Sequence, residues 1–225
     1  MPRMLRTILF DLDGVLIDSL ASIQAAMNHA LTALGRPRLD AAAVRPFIGP
    51  PLHQSAPVLL DSNDAGEIAR FVELYRGHYA AICERESAPA AGLDAALGAL
   101  AGRWTLAVAT HKPEAFARAI LGALGVVGAF AAIVGGAMDG SDTKAAIIGR
   151  ALAAVGAGPE GAVMIGDRSH DVIGAAAHGI PTIGVLHGMG SREELAAAGA
   201  RWIVDALGGA VALLERLAEG GQGAG

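Results

Sequence analysis

The sequence predicts an α/β fold: a doubly wound parallel sheet with a helical cap domain inserted after its first strand. Three observations carry the prediction. Short apolar runs without internal alternation recur along the chain, as expected of strands covered on both faces. Stretches of helical apolar spacing separate them, the alternation that builds parallel βαβ units. Residues 15–86 break this rhythm and offer helical patterns only.

The first run, Thr7–Phe10, ends on Asp11-Leu12-Asp13-Gly14. In the insert, Ile23, Met27, Ala30, Leu31 and Leu34 form an apolar stripe at helical spacing. Residues 15–86 therefore read as a helical domain tethered at two points, and 1–14 with 87–225 as the sheet-bearing core. The further strands are Thr105–Ala109, Ala131–Val134, Ala162–Ile165, Thr182–Val185 and Trp202–Val204. Among the helices between them, Pro113 and Glu114 open one that Gly125 closes. Thr143–Val155 is closed by Gly156, and Ser169–His178 by Gly179 with Pro181 beyond. Ser191 and Glu194 have the spacing of a capping box at the start of another. The glycine-rich tail 219–225 is expected to fray.

Composition removes several classes of function. A chain of 225 residues that is 53% hydrophobic can build a large core and is not disordered. A net charge of −5 argues against a nucleic-acid partner. The single cysteine, Cys83, leaves no disulfide framework or zinc cluster and reads as a small buried apolar side chain. The apolar run after Arg6 is too short for a signal-peptide core. Ala119–Met138 carries no charge and is long enough to span a bilayer. Five glycines interrupt it (Gly122, Gly125, Gly128, Gly135 and Gly136), so a helix end, a turn and a buried strand explain it better. The expected setting is cytoplasmic, with no membrane, as a monomer or homodimer acting on a small metabolite.

In open parallel sheets, ligands bind beyond the carboxyl ends of the strands. There the first strand offers Asp11 and Asp13, and the second Thr110, His111 and Lys112. The fourth offers Asp167, with Asp171 four residues on, and Lys144 opens the helix after the third. Lys112 and Lys144 are the only lysines; the other fifteen cations are arginines. Two carboxylates about 4 Å apart repel by roughly 4 kcal/mol at an effective dielectric near 20. Asp11, Asp13 and Asp167, if they converge, therefore need a cation among them. Hard oxygen donors select Mg²⁺, which keeps waters and accepts phosphate oxygens. A calcium loop fits poorly, because Gly14 follows Asp13 at once and Val15-Leu16-Ile17 supplies no ligands. A plain Asp-rich turn would explain Asp11 and Asp13 alone, but not the cation and second acid pair at three other strand ends.

These residues together resemble the haloacid dehalogenase superfamily. Asp11 through Ser19 resembles its first motif, Thr110 its second, Lys144 its third, and Gly166 through Asp171 its fourth. The resemblance implies that Asp11 attacks phosphorus and that Asp13 serves as general acid, then general base. It implies that Thr110, His111 and Lys144 bind phosphate, and that Asp11, Asp13 through its carbonyl, Asp167 and Asp171 form the Mg²⁺ shell. The family's dehalogenases lack the second acid, present here as Asp13, and its phosphonatases use a cap lysine, whereas 15–86 contains none. Phe47 through Leu52, Tyr75-Arg76 with Tyr79, and Gly184 through Leu195 resemble the phosphoglycolate phosphatase and 5′-nucleotidase-like group. Two departures stand out: Ala88-Pro89-Ala90-Ala91-Gly92 in place of a Tyr-Pro-Gly turn, and His111 where Asn or Ser is commoner.

The implied activity is a phosphatase acting on phosphoglycolate or a 5′-nucleotide-like ester. The alternatives are a phosphomutase of the β-phosphoglucomutase type and a non-catalytic binding protein on the same fold. His170 and His178 lack a metal spacing and read as surface or cap-facing. The cap cations read mostly as solvated, with Arg45 or His53, near Gly49-Pro50-Pro51, expected to contact the leaving group.

Overall fold

The run Thr-Ile-Leu-Phe forms β1 (Thr7–Phe10), buried along its full length in the computed structural model, which describes residues 5–220. After a turn at Gly14 the chain forms the two-residue β2 (Ile17–Asp18) and enters four helices. These are α1 (Leu20–Ala33), α2 (Ala41–Val44), α3 (Leu52–Leu60) and α4 (Ala65–Glu86). It returns through β3 (Ala88–Pro89), antiparallel to β2, with Ile17 opposite Pro89 and Asp18 opposite Ala88. The insert thus leaves and re-enters over one short ribbon. There follow α5 (Leu93–Leu100), β4 (Thr105–Pro113), α6 (Glu114–Ala123), β5 (Ala132–Gly136) and α7 (Lys144–Ala154). The chain ends with β6 (Ala162–Gly166), α8 (Ser169–Ala176), β7 (Thr182–Val185), α9 (Arg192–Ala197), β8 (Trp202–Val204) and α10 (Leu207–Gly220).

The main sheet has the order β5-β4-β1-β6-β7-β8. Every pairing in it is parallel. This is the doubly wound arrangement, in which the strand order reverses at the β1–β6 boundary. Alternation along the strands divides the core. Ile8 and Phe10 of β1 join Leu106, Val108, Val163 and Ile165 on one face, and that cluster continues into the insert through Leu16, Met27, Phe71 and Tyr79. Leu9 points the other way, with Ala107, Ala109 and Met164, against Ile147 and Ile148 of α7. Full burial of a side chain the size of Phe10 contributes about 2–3 kcal/mol.

All six expected core strands form, with β4 running four residues further, to Pro113. The helices-only reading of 15–86 misses β2, because a two-residue strand has no period to detect. Helices α5 and α10 lie outside the elements read from the sequence. Ala119–Met138 resolves into the end of α6, a turn and β5, and no helix among the described residues is long and apolar enough to cross a membrane. Ser191 caps α9 by accepting the Glu194 N–H at 3.2 Å. The reciprocal half of the capping box is absent: the Glu194 carboxylate accepts instead from Ser169 N and Arg168 Nε, at 2.8 and 3.0 Å, and so starts α8. Of the tail expected to fray, Glu219 and Gly220 form the end of α10, and 221–225 lie outside the described residues, as do 1–4.

Candidate active site

The acids converge at the switch point of the sheet. Asp11 leaves β1 with its N–H donated to Ile165 O across the β1–β6 boundary, at 3.0 Å, and is 2% exposed. Asp167 follows β6, and Asp171 lies in the first turn of α8, also buried. Lys144, opening α7, places its ammonium 2.8 Å from Asp11 Oδ1 and 2.7 Å from Asp171 Oδ1. Asp171 Oδ2 accepts the N–H groups of Asp167 and Arg168, at 3.1 and 3.0 Å. Asp167 Oδ2 accepts the Met189 N–H at 2.7 Å. Two glycines permit this closeness. A Cβ on Gly14, whose φ is +79°, would lie 2.2 Å from Asp167 Oδ2, and a Cβ on Gly188 would lie equally near.

The end of β4 supplies the opposite wall. Thr110 is buried, and its Oγ1 accepts the Lys112 N–H at 3.2 Å. Lys112 sends its ammonium back to Asp13 Oδ1, at 3.0 Å, and donates to the Tyr79 hydroxyl of α4 at 2.6 Å. Sequence reasoning gave Lys112 and Tyr79 no such role. The usable signal was the economy of lysine: in a chain that otherwise uses arginine, Lys112 stands near the end of β4 and Lys144 at the start of α7.

Four buried carboxylates (Asp11, Asp13, Asp167 and Asp171) thus face two buried ammonium groups, Lys112 and Lys144. Burial pushes Asp11 up to about 6, against the opposing pull of Lys144. Burial, then the charges of Asp171 and Asp11, raise Asp167 well above the ordinary carboxylate range. Burial works the same way on Asp171, yet Lys144, His170 and the Arg168 N–H outweigh it and hold this group low. Two negative charges in excess at one buried point, carried by oxygen donors, fit a divalent cation. Asp11, Asp171 and His170 also bring one donor atom each within 4.8 Å of one another, so these three could hold a metal ion.

His170 therefore stands at the acid cluster as well as against the insert, where a Cβ on Gly49 would lie 2.9 Å from its Cε1. Its ring centroid is 5.0 Å from that of His111. Burial, then Lys144 and His170, push His111 down to about 3; burial, with Lys144 and Arg168, pushes His170 down to about 4. Both shifts favour the neutral ring. His178 stands away from the acids and bonds Ala145 O at 2.7 Å.

A cavity bounded by α3, α4 and the ends of β4 and β5 reaches Asp13. Its wall is rich in rings (Phe47, Tyr75, Tyr79 and Phe116), with His53, Arg76, His111 and Lys112 as further polar members. Arg76 also donates to Met138 O, in the loop after β5. Arg45 is outside this wall, and its Nη2 donates to Gly188 O at 2.9 Å. Cys83 is buried and unpaired by disulfide.

Residues 8–185 match the model of the family described as haloacid dehalogenase-like hydrolase. The chain is 40% identical over 192 residues to a 5′-nucleotidase of Pseudomonas aeruginosa, covering 84% of this chain and 86% of that one. It is 33% identical over 196 residues to a phosphoglycolate phosphatase of Xylella fastidiosa, covering 84% and 83%. It matches the tyrosine-protein kinase PtkA of Mycobacterium tuberculosis at 39% identity over 189 residues, but spans only 64% of that protein's length. Among solved structures, one described as a predicted phosphatase from Clostridium acetobutylicum superposes with a TM-score of 0.88 at 34% identity, covering 96% of this chain and 99% of that one.

Proposed function

The chain belongs to the haloacid dehalogenase-like hydrolase family, and on that premise we propose that it is a Mg²⁺-dependent phosphoric monoester hydrolase working through an aspartyl-phosphate on Asp11. The observation that carries this reading is the buried Asp11–Lys144 pair at 2.8 Å, with Asp13 held two residues on by Lys112 at 3.0 Å. An oxygen of Asp11 bonds to phosphorus as the ester P–O bond breaks. Asp13 gives its proton to the departing oxygen, so the leaving group departs as an alcohol. The Asp13 carboxylate then takes a proton from the water that cleaves the acyl phosphate. The Thr110 hydroxyl, the His111 N–H and the Lys144 ammonium bind the phosphoryl oxygens and offset their charge. Asp11, the Asp13 carbonyl and Asp167 would hold Mg²⁺, with Asp171 orienting Asp167 and Lys144 from behind. When bound, the ion neutralises phosphoryl charge and keeps the nucleophile ionised.

The substrate class follows from the relatives' names and from the cavity. A ring-lined wall with His53 and Arg76 favours a leaving group with a flat or apolar part, hence a 5′-nucleotide before phosphoglycolate, as a small cytoplasmic metabolite. The enclosed site disfavours a protein tyrosine as acceptor, the transfer that the name PtkA describes for that relative, and favours water. Phosphate release from a panel of 5′-nucleotides, phosphoglycolate and sugar phosphates tests the reading. Turnover should require Mg²⁺, vanish with EDTA and fall at least about 10³-fold in Asp11→Asn. Undiminished turnover in Asp11→Asn would overturn the reading. Interconversion of sugar phosphates without release would indicate a mutase, and no turnover at all a binding protein.

A further inference from the structure

We propose that Tyr79 and Lys112 form a positioning unit for Asp13, by which the seating of the insert on the core fixes that carboxyl against the leaving oxygen. The proposal rests on the reading of Asp13 as general acid. Lys112 belongs to β4 of the core, Tyr79 to α4 of the insert, and Asp13 to the loop after β1. One ammonium group joins them: it lies 3.0 Å from Asp13 Oδ1, donates to Tyr79 Oη at 2.6 Å and sits 4.6 Å from the centre of the Tyr79 ring. That ring is itself fixed, stacked at 5.5 Å on Tyr75 and edge-on at 5.3 Å against Phe116.

An ammonium has three donors and no acceptor, so holding it from the insert side orients the donor aimed at Asp13. With Oδ1 engaged, Oδ2 is the oxygen left to carry and deliver the proton. Lys112 is buried and already engaged by Asp13 and Tyr79, and Lys144 serves Asp11, so a direct phosphate contact is the weaker reading of Lys112. The balance of the assisted step is simple. The Asp13 proton goes to the ester oxygen, the P–O bond breaks, the bond from Asp11 to phosphorus forms, and the alcohol departs.

The test is leaving-group dependence, because an alkoxide needs that proton and a nitrophenolate does not. kcat/KM, which stops at the first irreversible step, is measured for p-nitrophenyl phosphate and for the alkyl phosphate the enzyme turns over fastest, in the Mg²⁺-loaded full chain. Lys112→Met should lower the alkyl value about 10²-fold, and the aryl value at least tenfold less. Tyr79→Phe, which keeps the ring stack and loses only the hydroxyl, should show the same selectivity at roughly a tenfold alkyl loss, and it keeps the test alive if Lys112→Met does not fold. Equal losses on both substrates in Tyr79→Phe overturn the proposal. Asp13→Asn separates the two claims. If it too shows no selectivity, the assignment of Asp13 as acid fails; if it is selective and the other two variants are not, only the positioning unit fails.

Discussion

At the scale of single residues the site is a charge problem solved by pairing. Asp11 has its affinity for protons raised by burial, to about 6 against an ordinary 3.8. The sign follows directly. A carboxyl whose folded pKa lies above its unfolded value favours the protonated form in the fold, so without metal the protein gains stability from this group as pH falls through 6. A cation needs the ionised form and must displace that proton. Mg²⁺ affinity should therefore fall by at least roughly one decade per pH unit below 6, and the raised Asp167 adds to that dependence. Calorimetric Mg²⁺ titrations at several pH values check this, and an affinity unchanged down to about pH 5 would remove Asp11 from the ligand set. Asp171 acts from behind, through two backbone N–H groups and Lys144. Asp171→Asn keeps a side-chain acceptor but loses the charge opposite Lys144. It should cost about 10–100-fold in kcat and in Mg²⁺ affinity together, with the fold retained by circular dichroism.

At the scale of elements, what holds the acids in place is the way strand ends and loops interlock, and Gly14 is the tightest point. Its left-handed backbone and its missing Cβ let the loop after β1 lie against Asp167. Gly14→Ala should lose about 1–2 kcal/mol of stability from the backbone conformation alone. It should lose far more in activity, because the added methyl displaces the Asp167 carboxylate, which we propose as a Mg²⁺ ligand; melting curves and kcat on one sample separate the two effects. Legibility also divides at this scale. The strands that carry the acids were readable because burial on both faces leaves an unbroken apolar run, as in Thr7–Phe10 and Ala162–Ile165. The order of motifs along the chain then made Asp11, Asp167 and Lys144 legible as neighbours. The β2–β3 ribbon was not readable, since two residues have no period, and neither was the use of Glu194 to start α8 rather than to close its own capping box. Lys112 and Tyr79 escaped because their partnership joins β4 to a helix 33 positions earlier in the chain, a contact that local pattern does not carry.

At the scale of the whole molecule the question is how a phosphoester reaches Asp11, which is 2% exposed beneath the insert. Polar contacts join the insert to the core. Arg45 donates to Gly188 O at 2.9 Å and Arg168 to Ile48 O at 2.7 Å, while Tyr79 meets Lys112 and Arg76 meets Met138 O. We expect the insert to lift about the β2–β3 ribbon at its base, and the Arg45 and Arg168 contacts then act as latches, each worth about 1 kcal/mol. Removing one shifts the closed-to-open ratio by roughly fivefold. This gives Arg45 two distinguishable roles. As a latch, Arg45→Ala raises KM for every substrate by a common factor of about 2–5, leaves the order of substrates intact and barely changes kcat. As a contact to the leaving group it would reorder the substrates, because only some of them present the group it binds. Its hydrogen bond to Gly188 O and its position outside the cavity wall favour the latch, whereas His53 forms part of that wall, so His53→Ala should reorder the panel. Steady-state constants for both variants on three or more esters decide the matter: a reordered panel with Arg45→Ala would move Arg45 from the closure of the site to the recognition of its substrate.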